Sequence, residues 1–360
     1  MPPGARTDAA VMTVTGPVPA SQLGATLPHE HLFIDLSCYL IDPGDAGAAA
    51  ALELPVRLDT LDDVRRSPYA NRENCVLDDL ELAVAEAGQF RALGGTTIVD
   101  VTPAEIGRDP LGLRAVSQRT GLRIVTSCGH YIDAAHTGTL RAAAEDTIAE
   151  RFVREIRDGI GDTGIRPGII GEIGTGDPIT GSELKILRAA ATAHRETGLP
   201  ITVHVHPPAR RGHEVLDVLE SAGADLTRVV LGHCDASLVH PDITFEEGVA
   251  YHRSLAERGC FVEYDLCGNA GHFSTDTHSW WLPSDRERVQ AISSLAESGF
   301  LGSVLLSQDV GHKHYLRQYG GWGYGHILRT FPGHLRDAGF TDADIVRITV
   351  DNPRRMLAGD

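Results

Sequence analysis

Several features that would point to familiar functional classes are missing from this sequence. No stretch approaches ~20 consecutive apolar residues, so nothing in it is built to span a bilayer. The opening Met1-Pro2-Pro3-Gly4-Ala5-Arg6-Thr7-Asp8 is not followed by the apolar run of a secretion signal, and residues 1–10 read as a frayed tail. Positive charge is scarce. Lys plus Arg number 32 against 49 Asp plus Glu, the formal net charge is −17, and Lys185 and Lys313 are the only lysines. A nucleic-acid binder carries a basic patch, and none is visible, so nucleic acid is not an expected partner. The six cysteines (Cys38, Cys75, Cys128, Cys234, Cys260 and Cys267) include no C-x-x-C pair. A chain of 360 residues with 42% hydrophobic content buries a core without covalent staples, so reduced thiols in a cytoplasmic protein are expected. There is no internal repeat and no low-complexity tract.

What does recur is a pattern. A short β-branched run ends in polar or Gly residues, and a stretch rich in Ala, Leu, Arg and Glu follows. The runs are 25–33, 96–102, 123–128, 168–173, 201–206, 229–233, 260–266 and 303–309. The helical stretches lie near 78–93, 110–120, 140–160, 182–197, 211–222, 245–258, 285–298 and 342–357. Strands alternating with helices imply parallel βαβ units. About eight units predict an α/β fold of the (β/α)8 barrel type, with an open doubly wound sheet as the alternative. Thr180-x-x-Glu183 and Ser284-x-x-Glu287 fit capping boxes, which satisfy free amides at a helix start. Gly198-Leu199-Pro200 stops the helix before the fifth strand. Residues 11–24 predict a short hairpin ahead of the barrel, and 11–360 form one barrel domain. Residues 40–77 and 268–283 are irregular insertions after the first and seventh strands, where barrel loops govern substrate choice.

In Pro28-His29-Glu30-His31, residues two apart on a strand point the same way. His29 and His31 therefore project together, and Glu30 faces the other side. Two imidazoles on one strand face can bind a metal, although a lone His-x-His pair is common by chance. Other ligand types end other strands: Glu172 the fourth, His204 the fifth, His233 the sixth and Asp309 the eighth. Each alone has an ordinary reading. Glu172 could pair with a basic neighbour, His233 could be a satisfied core histidine, and Asp309 could cap a helix. Their joint occurrence, in strand order, points to the C-terminal mouth of a barrel, where such residues form the site. Two divalent ions about 3.5–4 Å apart activate water near neutral pH and polarise a C=O or P=O bond.

The motifs Leu27-Pro28-His29-Glu30-His31, Ile98-Val99-Asp100-Val101-Thr102, Ile106-Gly107-Arg108-Asp109, Gly171-Glu172-Ile173-Gly174, Thr202-Val203-His204, Leu231-Gly232-His233-Cys234-Asp235 and Leu306-Ser307-Gln308-Asp309 resemble the phosphotriesterase family of the amidohydrolase superfamily. The likeness runs from about Val11 to Leu357. Glu263-Tyr264-Asp265-Leu266 and Tyr319-Gly320-Gly321-Trp322-Gly323-Tyr324 look closest to its phosphotriesterase-related, homology-protein branch. The resemblance implies two divalent metal ions, zinc first with manganese, cobalt or iron as alternatives. His29, His31 and Asp309 would hold the more buried ion, His204 and His233 the more exposed one, and Glu172 would bridge them. Asp309 would also accept a proton, and Tyr131 falls where lactonase-like members carry a tyrosine beside the exposed ion. A homodimer acting on a small-molecule substrate is also implied.

Two departures rank the functions. The best-known members bridge with a carboxylated lysine, and this chain has Glu172. The paraoxon-hydrolysing members carry a proton-relaying histidine after the seventh-strand aspartate, and here Leu266 follows Asp265. Hydrolysis of a small carboxylic ester, lactone or amide is therefore expected first, with phosphotriester hydrolysis as a side activity or as the alternative. A metal-containing binding protein without turnover and a carbon–carbon reaction such as decarboxylation are the remaining readings. Among looser residues, Lys313 and Arg317 are expected as i, i+4 helical neighbours that bind an anionic substrate group. His206 reads as a solvated loop histidine. His272, His278, Trp280 and Trp281 read as a lid or substrate wall, and His194, His252 and His334 as surface residues of outer helices.

Overall fold

The computed structural model describes residues 9–41, 44–240, 242–274 and 279–359. Eight parallel strands form one sheet: β1 (Thr26–Glu30), β2 (Thr97–Asp100), β3 (Arg123–Cys128), β4 (Ile169–Thr175), β5 (Ile201–Val205), β6 (Val229–Leu231), β7 (Phe261–Tyr264) and β8 (Val304–Leu306). Each pairs with the next in chain order, and β8 returns beside β1. Strand order never reverses, so the sheet is a (β/α)8 barrel and not a doubly wound sheet. Seven helices wrap it: α1 (Leu80–Ala92), α2 (Pro110–Thr120), α3 (Glu145–Asp158), α4 (Gly181–Thr197), α5 (Gly212–Ser221), α6 (Phe245–Ala256) and α7 (Asp285–Glu297). A broken helical segment, Asp342–Ala358, completes the ring. None of the described helices is long and apolar enough to cross a membrane.

Alternation along the strands sorts side chains into two cores. Ile98 and Ile124 pack outward under the helices. Val99 and Val125 point inward and share a core with Val11 and Leu23 of the N-terminal segment and with Met356 and Leu357. The predicted hairpin, Ala10–Thr13 against Gly16–Pro19, and the last helix therefore close one end of the barrel. Ala10 already belongs to that hairpin, so the tail ends one residue earlier than expected, and residues 1–8 lie outside the described set.

Glu30 has a structural task. It points away from the His29/His31 face and stitches β8 to β1. Its Oε1 accepts Ser307 Oγ at 2.7 Å and the Gln308 N–H at 2.8 Å, and its Oε2 accepts the Val310 N–H at 3.0 Å.

The helix starts follow local chemistry. Both predicted capping boxes form, and Thr244/Glu247 and Thr341/Asp344 make two more. The expected helix over 140–160 is two pieces, Gly138–Ala142 and α3, with Ala143 and Ala144 extended between them. The expected helix over 342–357 contains a π-turn at Arg347–Asp351 just before Pro353. Proline has no N–H to give to the carbonyl four residues back, and the widened turn absorbs the mismatch.

The two insertions are more ordered than their composition suggests. The first contains helices Ala46–Leu52 and Leu61–Arg66 and a short strand, Val76–Leu77, paired with Ile34–Asp35. The second is a hairpin, Gly271–Ser274 with Ser279–Leu282, seated through Trp280 and Leu282 on Ala236 and Leu266. His194 and His252 are corrections: both are buried rather than on the surface. His194 Nδ1 donates to the Leu199 carbonyl at 2.7 Å, and His252 lies between Ser237 Oγ at 2.8 Å and Tyr264 OH at 2.9 Å. A helix face that covers a barrel is interior, whatever polar residue stands there. His334 is exposed as expected.

Candidate metal centre

The strand ends bring the six predicted side chains together. His29 lies within β1 and His31 directly follows it, Glu172 lies within β4, and His204 lies within β5. His233 and Asp309 follow β6 and β8 in left-handed backbone, with φ of 56° and 46°. L-residues with side chains avoid that region, and such strain gathers where a side chain must be aimed. Gly171 precedes Glu172 at φ 130°, and a Cβ there would run into the Thr202 carbonyl. This tight approach sets the Glu172 carboxylate at the centre.

Besides His29, His233 and Asp265, two groups of potential ligand atoms come together, each within 4.8 Å: His29, His31 and Asp309 in one, Glu172, His204 and His233 in the other. Glu172 lies between them. Its Oε2 is 3.5 Å from both His29 Nε2 and His204 Nδ1, and its Oε1 is 3.6 Å from His31 Nε2. Asp309 Oδ1 is 3.1 Å from His31 Nε2 and 3.8 Å from His29 Nε2. His233 Nε2 stands 2.8 Å from His204 Nδ1.

A surrounding layer holds the far nitrogens. His29 Nδ1 faces Glu263 at 3.2 Å and Asp265 at 3.3 Å. His31 Nδ1 meets Thr102 Oγ1 at 2.8 Å, and His233 Nδ1 meets Asp265 Oδ1 at 2.9 Å. These contacts turn each Nε2 inward, as outer partners of metal-bound histidines do. Glu263 and Asp265 sit two apart at the end of the seventh strand. The reasoning used for His29 and His31 could have found them, but their partners become visible only once the barrel closes.

The electrostatics call for a cation. Burial pushes the Glu172 carboxyl up, but the neighbouring imidazoles of His204 and His29 outweigh it and hold the group well below the usual carboxylate range. Asp309 is also held low, with burial outweighed by His31 and His233. His233, despite burial, is raised to about 9 by Asp265. Imidazoles are thus left to balance carboxylates that no Lys or Arg reaches in the described contacts. His29 Nε2, Glu172 Oε2 and His204 Nε2 are buried without hydrogen-bond partners. Buried polar atoms are normally paired, and two of these, His29 Nε2 and Glu172 Oε2, face each other at 3.5 Å. The donor set and its unpaired atoms fit divalent metal.

Above the centre lies a cavity that opens to solvent. Tyr39, Tyr69, Tyr131, Trp280, His312 and Tyr315 line it, with Ile34, Leu36, Leu266 and Leu282 between them. Tyr131 is 5% exposed, stacks edge-on against His204 at 5.0 Å between ring centroids, and accepts a hydrogen bond from Tyr39 OH at 3.2 Å. Burial lowers the His312 pKa to about 4.

Three loose expectations are corrected. Lys313 and Arg317 stand on separate short turns, Lys313–Tyr315 and Arg317–Tyr319, and neither lines the cavity. Glu73 from the first insertion takes Lys313 at 3.0 Å. His206 is not a solvated loop residue; it lines the cavity 6.4 Å from the Trp280 ring. Trp280 forms part of the expected wall, whereas Trp281, 59% exposed, faces out. His278 and the side chain of His272 lie outside the described residues. Asp235, the far end of the relay in the resemblance, is taken by the fully buried Arg288 at 2.6 Å.

Comparison with known proteins agrees over the whole chain. The model of the phosphotriesterase family matches residues 9–357. An N-acetyltaurine hydrolase of Danio rerio is 33% identical over 350 residues, covering 96% of this chain and 97% of the relative. A resiniferatoxin-binding protein from Rhodobacter sphaeroides superposes with a TM-score of 0.92 at 40% identity, over 97% of this chain and 95% of that one. A mutant phosphotriesterase-like lactonase of Deinococcus radiodurans gives a TM-score of 0.74 at 32% identity, over 96% and 99% of the two chains. With a family model spanning the barrel from its hairpin to its last helix, the chain belongs to the phosphotriesterase family and is a hydrolase.

Proposed function

We propose that this chain hydrolyses a small carboxylic ester, lactone or amide with two divalent metal ions, zinc first. The observation that carries the reading is the placement of Glu172 between two ligand groups drawn from five strands. His29, His31 and Asp309 would hold one ion, His204 and His233 the other, with Glu172 shared. The metals supply Lewis acidity and make water a nucleophile near neutral pH. Asp309, held ionised, is placed to accept a proton and pass it to the leaving group. Tyr131, whose oxygen already accepts from Tyr39, keeps its own proton for the negative charge that develops on the substrate oxygen. The aromatic walls keep bulk water from the reacting groups.

Leu266 in place of a relay histidine, and Arg288 on Asp235, support ranking carbonyl substrates above phosphotriesters. The lactonase and N-acetyltaurine hydrolase relatives support the same order. A homodimer in the cytoplasm, built of one barrel domain, completes the reading. Steady-state assays of zinc- and manganese-loaded protein on lactone, N-acyl amide and phosphotriester panels test it. Metal-dependent turnover of the first two is expected, and strong turnover of phosphotriesters alone overturns it. Binding without turnover is favoured by the name of the Rhodobacter sphaeroides protein alone. It predicts ligand affinity with no metal-dependent product.

A further inference from the structure

The cavity over the metal centre has two kinds of wall. One side is contributed by the loop after β1, with Ile34, Leu36 and Tyr39. The other is the hairpin after β7, whose Trp280 and Leu282 rest on Leu266 and Ala236. Strand alternation decides this. Trp280 is 6% exposed and turned in, and its neighbour Trp281 is turned out. The wall is mostly apolar and aromatic, with His206, Asn269 and His312 set into it.

Three basic side chains of the surrounding loops are engaged elsewhere. Lys313 holds Glu73 at 3.0 Å, Arg72 holds Glu53 at 2.9 Å, and Arg57 holds Asp59 at 2.7 Å. Among the described residues that line the cavity there is no Lys or Arg. A charged substrate arm would leave water for an apolar wall, and an unpaired buried charge is costly. An apolar or aromatic arm instead gains by the area it buries.

We infer that Trp280 and its hairpin select substrates whose non-reacting arm is uncharged and bulky, apolar or aromatic, and disfavour compact substrates with an anionic arm such as a sulfonate. The inference rests on the carbonyl-hydrolase reading and names the substrate class of that site.

Three matched N-acyl amides test it on the metal-loaded full chain: an acetyl amide with a neutral amine, the same amide with a sulfonate-bearing amine, and a phenylacetyl amide with the neutral amine. The expected order of kcat/KM is phenylacetyl neutral, then acetyl neutral, then acetyl sulfonate. Burying an aromatic arm is worth about 10–100-fold. Trp280→Ala should erase the phenylacetyl advantage over the acetyl amide through KM, and Trp280→Phe should restore most of it. A binding arm keeps the two readings apart. Tryptophan fluorescence titration with a long-chain alkyl lactam, which is not turned over, should show affinity that falls about tenfold or more in Trp280→Ala. Tight lactam binding without any hydrolysis sinks the hydrolase reading and keeps this one. Preference for the sulfonate, or a Trp280→Ala protein with unchanged selectivity and lactam affinity, overturns it. If Trp280→Ala fails to fold, Leu36→Ala on the opposite wall must lower lactam affinity in the same direction, and an unchanged affinity there overturns the inference.

Discussion

At the scale of single residues, the centre depends on aim more than on composition. His233 and Asp309 sit at positive φ, so their side chains leave the strand ends at angles an extended backbone would not give. Glu172 reaches both ligand groups because a glycine before it permits close approach to β5. Tyr131 reaches the exposed side through its stack on His204 and its bond from Tyr39. Its phenol is a hydrogen-bond donor and not a ligand in this reading. Tyr131→Phe should therefore lower kcat by about 10²-fold, the cost of removing one oxyanion donor, with metal content unchanged. Kinetics paired with elemental analysis checks this. Loss of metal in the variant would make Tyr131 a structural or ligating residue instead. The six clustered residues could be read in the sequence because each lies in or just after a recognisable strand. The Pro207 that follows His206 favours a solvated loop on sequence grounds, and only the hairpin carrying Trp280 turns that strand end into a cavity wall.

At the scale of elements, α7 is tied to the loops after β6 and β7 by a buried ionic chain. Arg288 is fully buried. Its Nε gives to Asp235 at 2.6 Å, and its Nη1 gives to Asp285 at 3.1 Å. Asp235 accepts the Leu266 N–H at 3.2 Å, and Asp285 accepts the Gly268 N–H at 3.0 Å and pairs with His326 at 2.6 Å. The loop bearing Leu266 is thus pinned from the helix side. Arg288→Met strands a buried carboxylate and should cost about 3–5 kcal/mol. The pair Asp235→Asn with Arg288→Met should recover a large part of that, because asparagine still accepts from Leu266. Urea unfolding at neutral pH measures both, and a double variant no more stable than the single one would refute the charge-stranding account. The start of this helix was readable from Ser284 and Glu287. Its buried arginine was not, since nothing local to residue 288 announces an aspartate 53 positions away.

At the scale of the whole molecule, the barrel gathers Glu172, Glu263, Asp265 and Asp309 beside four histidines in a chain of net charge −17. Metal binds only the folded arrangement, so it should stabilise the barrel by linkage, about 2.7 kcal/mol at about 100 times its Kd. Chelation followed by dialysis should lower the calorimetric unfolding midpoint, and added zinc should restore it. An unchanged midpoint would mean that no ion is held. The sequence by itself determined the alternation of strand and helix, the outward and inward sets such as Ile98 and Val99, the caps at Thr180 and Ser284, and the strand-end positions of the ligands. Each of these follows from periodicity and short-range sterics. Only the tertiary structure decided that Glu30 closes the seam, that Glu73 removes Lys313 from the site, that His252 is buried, and that the insertion after the seventh strand is a hairpin facing the cavity with one tryptophan. Those outcomes depend on distances between residues far apart in the chain, set by barrel closure and loop packing, which no local pattern encodes.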